Sequence, residues 1–101
     1  MGTAKRYADA VDRRMNDSVI LRIMQSGPPQ SLGPKELALD TTPLTRAPVP
    51  RHVRAWVRYP EGPVQVEGEA VAWTASAVAV RWPAGDVVHK AWVWSSAVDP
   101  M

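Results

Sequence analysis

The chain contains no cysteine and no phenylalanine. The first absence removes disulfides, thiolate nucleophiles, zinc–thiolate centres and thiol redox switching. The second leaves aromatic packing to five tryptophans and two tyrosines. Isoleucine is confined to Ile20 and Ile23, and Asn16 is the lone asparagine, so the apolar content comes mainly from Ala, Val and Trp. No segment approaches the roughly 18 continuous apolar residues of a membrane span. Near the start, Lys5, Arg6, Asp9, Asp12, Arg13 and Arg14 interrupt the stretch where a secretory signal would need an apolar run. These features predict a soluble protein with no membrane partner, and they favour the cytoplasm.

A strong excess of either charge is also missing: the formal net charge is +2 over 101 residues. From Arg51 onward, Arg51, Arg54, Arg58, Arg81 and Lys90 are matched in number by Glu61, Glu67, Glu69, Asp86 and Asp99. The C-terminal half is therefore formally neutral, and the small basic excess lies before it. Such a balance is weak support for a nucleic-acid partner.

What is present divides the chain into three stretches: a helical segment over 1–26, a proline-rich extended connector over 27–50 and a Trp-rich β half over 51–101. In the first, Thr3 is a candidate cap, and Tyr7, Val11 and Met15 recur every four residues. Gly27-Pro28-Pro29 then stops the helix. Near Asn16-Asp17-Ser18 the apolar stripe moves to Ile20, Ile23 and Met24, which predicts either a kink or a restart capped by Asp17 or Ser18. The stripe packs on the β half or on another chain; the residues do not separate these.

The connector carries most of the ten prolines, which forbid long helix and central strand. One exception is expected at Gly33-Pro34-Lys35-Glu36-Leu37, where proline suits a first helical position and Leu37 is free to pack. From Asp40 to Pro50 the pattern predicts an extended arm, either a spacer along the protein's own surface or a ligand for an aromatic groove.

In the β half, alternation from Arg51 to Tyr59 puts Val53, Ala55, Val57 and Tyr59 on one face and His52, Arg54, Trp56 and Arg58 on the other. Pro60-Glu61-Gly62-Pro63 predicts a turn that sets Arg58 against Gln65, Trp56 against Glu67, Arg54 against Glu69 and Ala55 against Gly68. Gly68 is a candidate bulge. A turn at Thr74-Ala75, a third strand over 76–82, a turn at Pro83-Ala84-Gly85-Asp86 and a fourth strand over 87–94 follow.

The closing run Trp92-Val93-Trp94-Ser95-Ser96-Ala97-Val98, with the strand lengths and turn order from Val53 onward, resembles the end of an SH3-like small barrel. That resemblance implies a 3₁₀ turn after the fourth strand and a short closing strand. The expected fold class is thus α+β: an N-terminal helix and a proline-rich connector followed by a small antiparallel SH3-like β-barrel. The acidic loop and tyrosine-rich signature of the peptide-binding branch are absent, so the resemblance implies architecture and no ligand. The whole chain also resembles short actinobacterial proteins of no assigned function. A barrel of about fifty residues is near the limit of what one core stabilises, so the N-terminal helix is expected to be structurally necessary.

Catalytic pieces are sparse. His52 and His89 fall on the first and fourth predicted strands, and two histidines without a third ligand make a poor metal site. No glycine loop, nucleophile elbow or carboxylate pair accompanies them. The expectation is a non-enzymatic chain with no cofactor and no metal. Two binding readings remain. In the first, the chain is a protein-interaction or assembly module that engages a protein partner or a second copy through Trp56, Trp92 or Trp94, with one or two of the five tryptophans exposed. In the second, Arg51, His52, Arg54, Trp56 and Arg58 form a basic, aromatic surface for nucleic acid. Glu67 and Glu69 beside that strand weigh for the first.

Overall fold

The structure, a computed structural model, describes residues 18–101; the Thr3 cap, the Tyr7-Val11-Met15 stripe and the Asp17 cap lie outside them. Residues 18–24 are helical (α1). A single turn, α2 (Pro34–Leu37), precedes strands β1 (Thr45–Tyr59), β2 (Gly62–Trp73), β3 (Ala77–Ala84) and β4 (Val87–Trp94). A 3₁₀ turn over Ser95–Ala97 leads into β5 (Val98–Pro100). α2 forms where expected, with Pro34 opening it, the Gly33 N–H donating to the Glu36 carboxylate at 3.0 Å, and Leu37 buried.

All five strands form one antiparallel sheet in the order β4-β3-β2-β1-β5. The expected barrel is corrected in one respect: no ladder joins β4 to β1 or β5, so the sheet is open. It nevertheless curls, because Tyr59 on β1 meets His89 on β4 across two intervening strands, at 2.8 Å. The connector stitches the gap. The Gln30 N–H donates to the Arg58 carbonyl at 2.7 Å, the Leu32 N–H to the Trp92 carbonyl at 2.9 Å, and the Trp92 N–H to the Ser31 hydroxyl at 2.8 Å. Residues 30–32 of the connector thus bridge the two curled sides of the sheet.

The first strand starts earlier than expected. Thr45 and Arg46, assigned to the arm, already pair with Trp73 and Ala72, and the ladder resumes at Arg51 opposite Ala70. Pro48 and Pro50 fall in the interrupted stretch, where no ladder N–H is required of them.

The β1–β2 register differs from expectation by two residues. The turn is tight, with Tyr59 paired to Gly62, so Arg58 faces Pro63, Trp56 faces Gln65, Arg54 faces Glu67, His52 faces Glu69 and Ala55 faces Val66. A shift of two preserves the faces, since side chains alternate with period two. Val53, Ala55, Val57 and Tyr59 are buried as expected, and the residues between them are exposed. The bulge lies between Ala70 and Ala72, not at Gly68. Pro83 and Ala84 belong to β3, leaving Gly85-Asp86 as the turn. Gly85 has a φ of 67°, which suits glycine at the first position of a type II′ turn.

The inner face gathers Val53, Ala55, Val57, Val64, Val66, Ala70, Val80, Ala91 and Val93 around Tyr59 and Trp82. Ile20, Ile23 and Met24 of α1 pack against this cluster, so the C-terminal end of the helical segment covers the chain's own sheet. Trp82 is 1% exposed. Its indole N–H, a donor with no acceptor of its own, needs a buried partner, and the Tyr59 hydroxyl oxygen accepts it at 2.8 Å. The Tyr59 hydroxyl also shares a hydrogen bond of 2.8 Å with Nδ1 of His89.

Gly68 sets how closely β3 folds over β2. A Cβ there would overlap the Arg81 carbonyl oxygen and come within 2.9 Å of Trp82 Cβ. Gly68→Ala is therefore expected to cost about 1–3 kcal/mol through forced backbone displacement, read from chemical denaturation. Tyr59→Phe, which keeps the ring volume and orphans the Trp82 N–H, should cost about 1–3 kcal/mol in the same assay.

Candidate protein-interaction face

The outer face follows from the same alternation that fills the core. Its β1 residues are His52, Arg54, Trp56 and Arg58, all exposed. The ladders arrange them in cross-strand rows. One row runs His52, Glu69, Arg81, Lys90 through β1, β2, β3 and β4. The next places Arg54 against Glu67, and the third places Trp56 against Gln65.

Charge along this face is largely paired. Arg54 Nη2 lies 3.5 Å from Glu67 Oε1, with both side chains about half exposed. Arg81 Nε donates to Glu69 Oε1 at 3.2 Å. Exposed pairs of this kind contribute little stability, about 0.2–1 kcal/mol. Their consequence is electrostatic: two of the outward guanidinium groups already have carboxylates beside them. A groove of about 600 Å³ opens over this row, lined among others by His52, Glu67, Glu69, Arg81, Lys90 and Val88.

The remaining candidate residues do not all converge. Arg51 has the parity of the buried set, and its guanidinium sits 5.4 Å from the centroid of the Trp73 ring, outside the His52–Arg58 row. Trp92 is half-buried opposite Ala79, its backbone held by Ser31 and Leu32. Trp94 is 44% exposed opposite Ala77 at the far end of β4. In the ladder both tryptophans lie diagonally across the sheet from Trp56, which pairs near the opposite end of β2. Trp56 and Trp94 are therefore separate features.

His52 and His89 sit on opposite faces, one in the exposed row and the other against Tyr59. Among the described residues no group of three metal-ligating side chains assembles. The Tyr59–His89–Trp82 chain was not anticipated. Strand parity places Tyr59 and Trp82 inside, and only the curl of the sheet brings them to His89.

Among the described residues no helix is long and apolar enough to cross a membrane. The chain matches no protein family by sequence profile, and no curated protein or solved structure was found to match it.

Burial pushes the Tyr59 hydroxyl above its ordinary range, with the Trp82 N–H acting in the opposite sense to a lesser degree. A tyrosine whose folded pKa is raised stabilises the fold fully below its unfolded value of about 10 and loses that contribution as pH rises through the folded value. Denaturation midpoints should therefore fall above about pH 10, and Tyr59→Phe should flatten that alkaline limb. An unchanged slope in the variant would contradict the assignment.

Proposed function

We propose that this chain is a non-enzymatic protein-interaction module that holds a protein partner on the outward face of β1, with Trp56 as the anchor. One observation carries the reading. Trp56 is 51% exposed in a strand whose neighbouring side chains Ala55 and Val57 are buried, and it stands between Arg54 and Arg58. Its indole is fixed on a paired strand, so little backbone order remains to be lost on binding. Trp and Arg are the residue types most enriched among interface hot spots.

The pairing of Arg54 with Glu67 and of Arg81 with Glu69 favours a protein over a nucleic acid, because phosphate would have to displace or tolerate two carboxylates on the same face. Kinship with SH3-like barrels is part of this reading. The strand order β4-β3-β2-β1-β5 and the 3₁₀ turn between β4 and β5 support it. A cytoplasmic site of action accompanies it, in keeping with the lack of cysteine.

The test is capture of a partner from the native host by the full chain and by Trp56→Ala, at low and high salt. The wild type should retain its partner in high salt, and Trp56→Ala should lose it by about tenfold or more. The variant's stability should stay within about 0.5 kcal/mol, as for an exposed residue. Binding of a labelled oligonucleotide that falls steeply with salt would instead identify a nucleic-acid protein.

A further inference from the structure

β4 is an edge of the sheet, and its two halves are treated differently. At Trp92 both outward backbone groups are used, the N–H by Ser31 and the carbonyl by Leu32. Backbone groups alternate sides along an antiparallel strand, so the N–H and carbonyl of Lys90 and Val88 point the same way as those of Trp92. Among the described residues nothing bonds to them. Beside this open stretch Val87 is 56% and Val88 61% exposed. Edge strands that must stay single are blunted by shortness, proline or repulsive charge. This one instead has two adjacent exposed valines.

The charges around it carry the argument further. Lys90 stands directly opposite Arg81 on β3, an unfavourable like-charge placement. Arg81 turns to Glu69, and among the described residues Lys90 has no carboxylate partner. Two positions beyond Val88 in the other direction lies Asp86, exposed in the turn and likewise in no ion pair among the described residues. The segment Asp86-Val87-Val88-His89-Lys90 is thus charged oppositely at its two ends and apolar in the middle.

We propose that β4 pairs antiparallel with β4 of a second copy of this chain, about a two-fold axis at Val88. In that register Val88 meets its own symmetry mate, and Lys90 of each copy faces Asp86 of the other. The free N–H and carbonyl groups of Val88 and Lys90 then enter a continuous ladder across both sheets. Other registers fit worse. An axis at Lys90 opposes two ammonium groups. An axis at His89 sets Val88 against Lys90 and Asp86 against Trp92, losing both the valine pair and the ion pairs. Beyond that, Ser31 and Leu32 already hold Trp92. The contact is isologous, so it closes at two copies and does not propagate. A few residues of ladder bury little area, so the dimer is concentration-dependent.

The inference rests on the reading of the chain as an assembly module and names one partner. It is tested on the full chain by sedimentation equilibrium over a concentration series. The wild type should move from the 11.1 kDa monomer toward twice that mass. Lys90→Glu and Asp86→Lys each create like-charge pairs and should weaken dimerisation about tenfold or more. An equimolar mixture of the two variants restores opposite charges at both ends and should recover the dimer as a heterodimer. Both residues altered in the test lie on the surface, and a circular dichroism melt confirms that each variant is folded. A chain monomeric at every concentration overturns the inference, as does a dimer indifferent to both reversals or a mixture that fails to recover. Dimerisation only after residues 1–17 are removed would show the chain's own N-terminal segment to be the occupant, and would also overturn it. None of these failures touches the Trp56 reading, which is scored by a different residue on β1.

Discussion

The fold turns on placing one large indole inside a very small sheet. Burying a tryptophan removes about 150–250 Å² from water, worth on the order of 4–6 kcal/mol before entropy is charged. That gain is realised only if the N–H is satisfied. The Tyr59 hydroxyl accepts the Trp82 N–H and hydrogen-bonds to Nδ1 of His89, so one hydrogen-bonded chain links β3, β1 and β4. The Tyr59 and Trp82 rings meet edge to face, at 87° and 6.5 Å between centroids. Around this junction the sheet must curl, and Gly68 permits it by letting the Arg81 carbonyl approach where a side chain would stand.

Curling without ladder closure leaves work for the rest of the chain. α1 covers the inner face with Ile20, Ile23 and Met24, and the connector ties Arg58 to Trp92 through residues 30–32. These additions support the strand core from outside it: Ile20, Ile23 and Met24 are partly buried against it, and residues 30–32 bond the strands at their surface. They also explain why the two edges differ in kind: β5 caps β1 over three residues, while β4 is capped at Trp92 and, among the described residues, unpaired on its outer side from Val88 to Lys90. On the proposed reading, the surfaces offered to other molecules are what remains after the sheet has met its own needs: the Trp56 strand face and the uncapped part of β4.

Much of this was legible in the residues, for reasons tied to period and turn chemistry. Alternation from His52 to Tyr59 assigns both faces of β1, and Gly33-Pro34 marks the helical turn ending at buried Leu37. Two exposed tryptophans, Trp56 and Trp94, agree with the number expected. The β1–β2 register was not legible, because Pro60-Glu61-Gly62-Pro63 is compatible with a loop of either length, and only the tight turn places Arg54 against Glu67. The early start of β1 was hidden by Pro48 and Pro50, which read as a break in pairing and proved to occupy an irregularity within it. Arg51 looked like a member of the basic row from its neighbours alone. Its odd position in the alternation and the nearby Trp73 ring turn it elsewhere. Contacts such as Gln30 to Arg58 leave no trace in sequence, since they are made by backbone groups whose partners are set by the curl.

The division of the tryptophans between core and surface is most directly tested by hydrogen exchange at the indole N–H groups, followed by nuclear magnetic resonance on the full chain. The account predicts that Trp82 exchanges slowest, at a rate set by global unfolding, while Trp56 and Trp94 exchange on the time scale of open solvent contact. A Trp82 indole that exchanges as fast as that of Trp56 would contradict it.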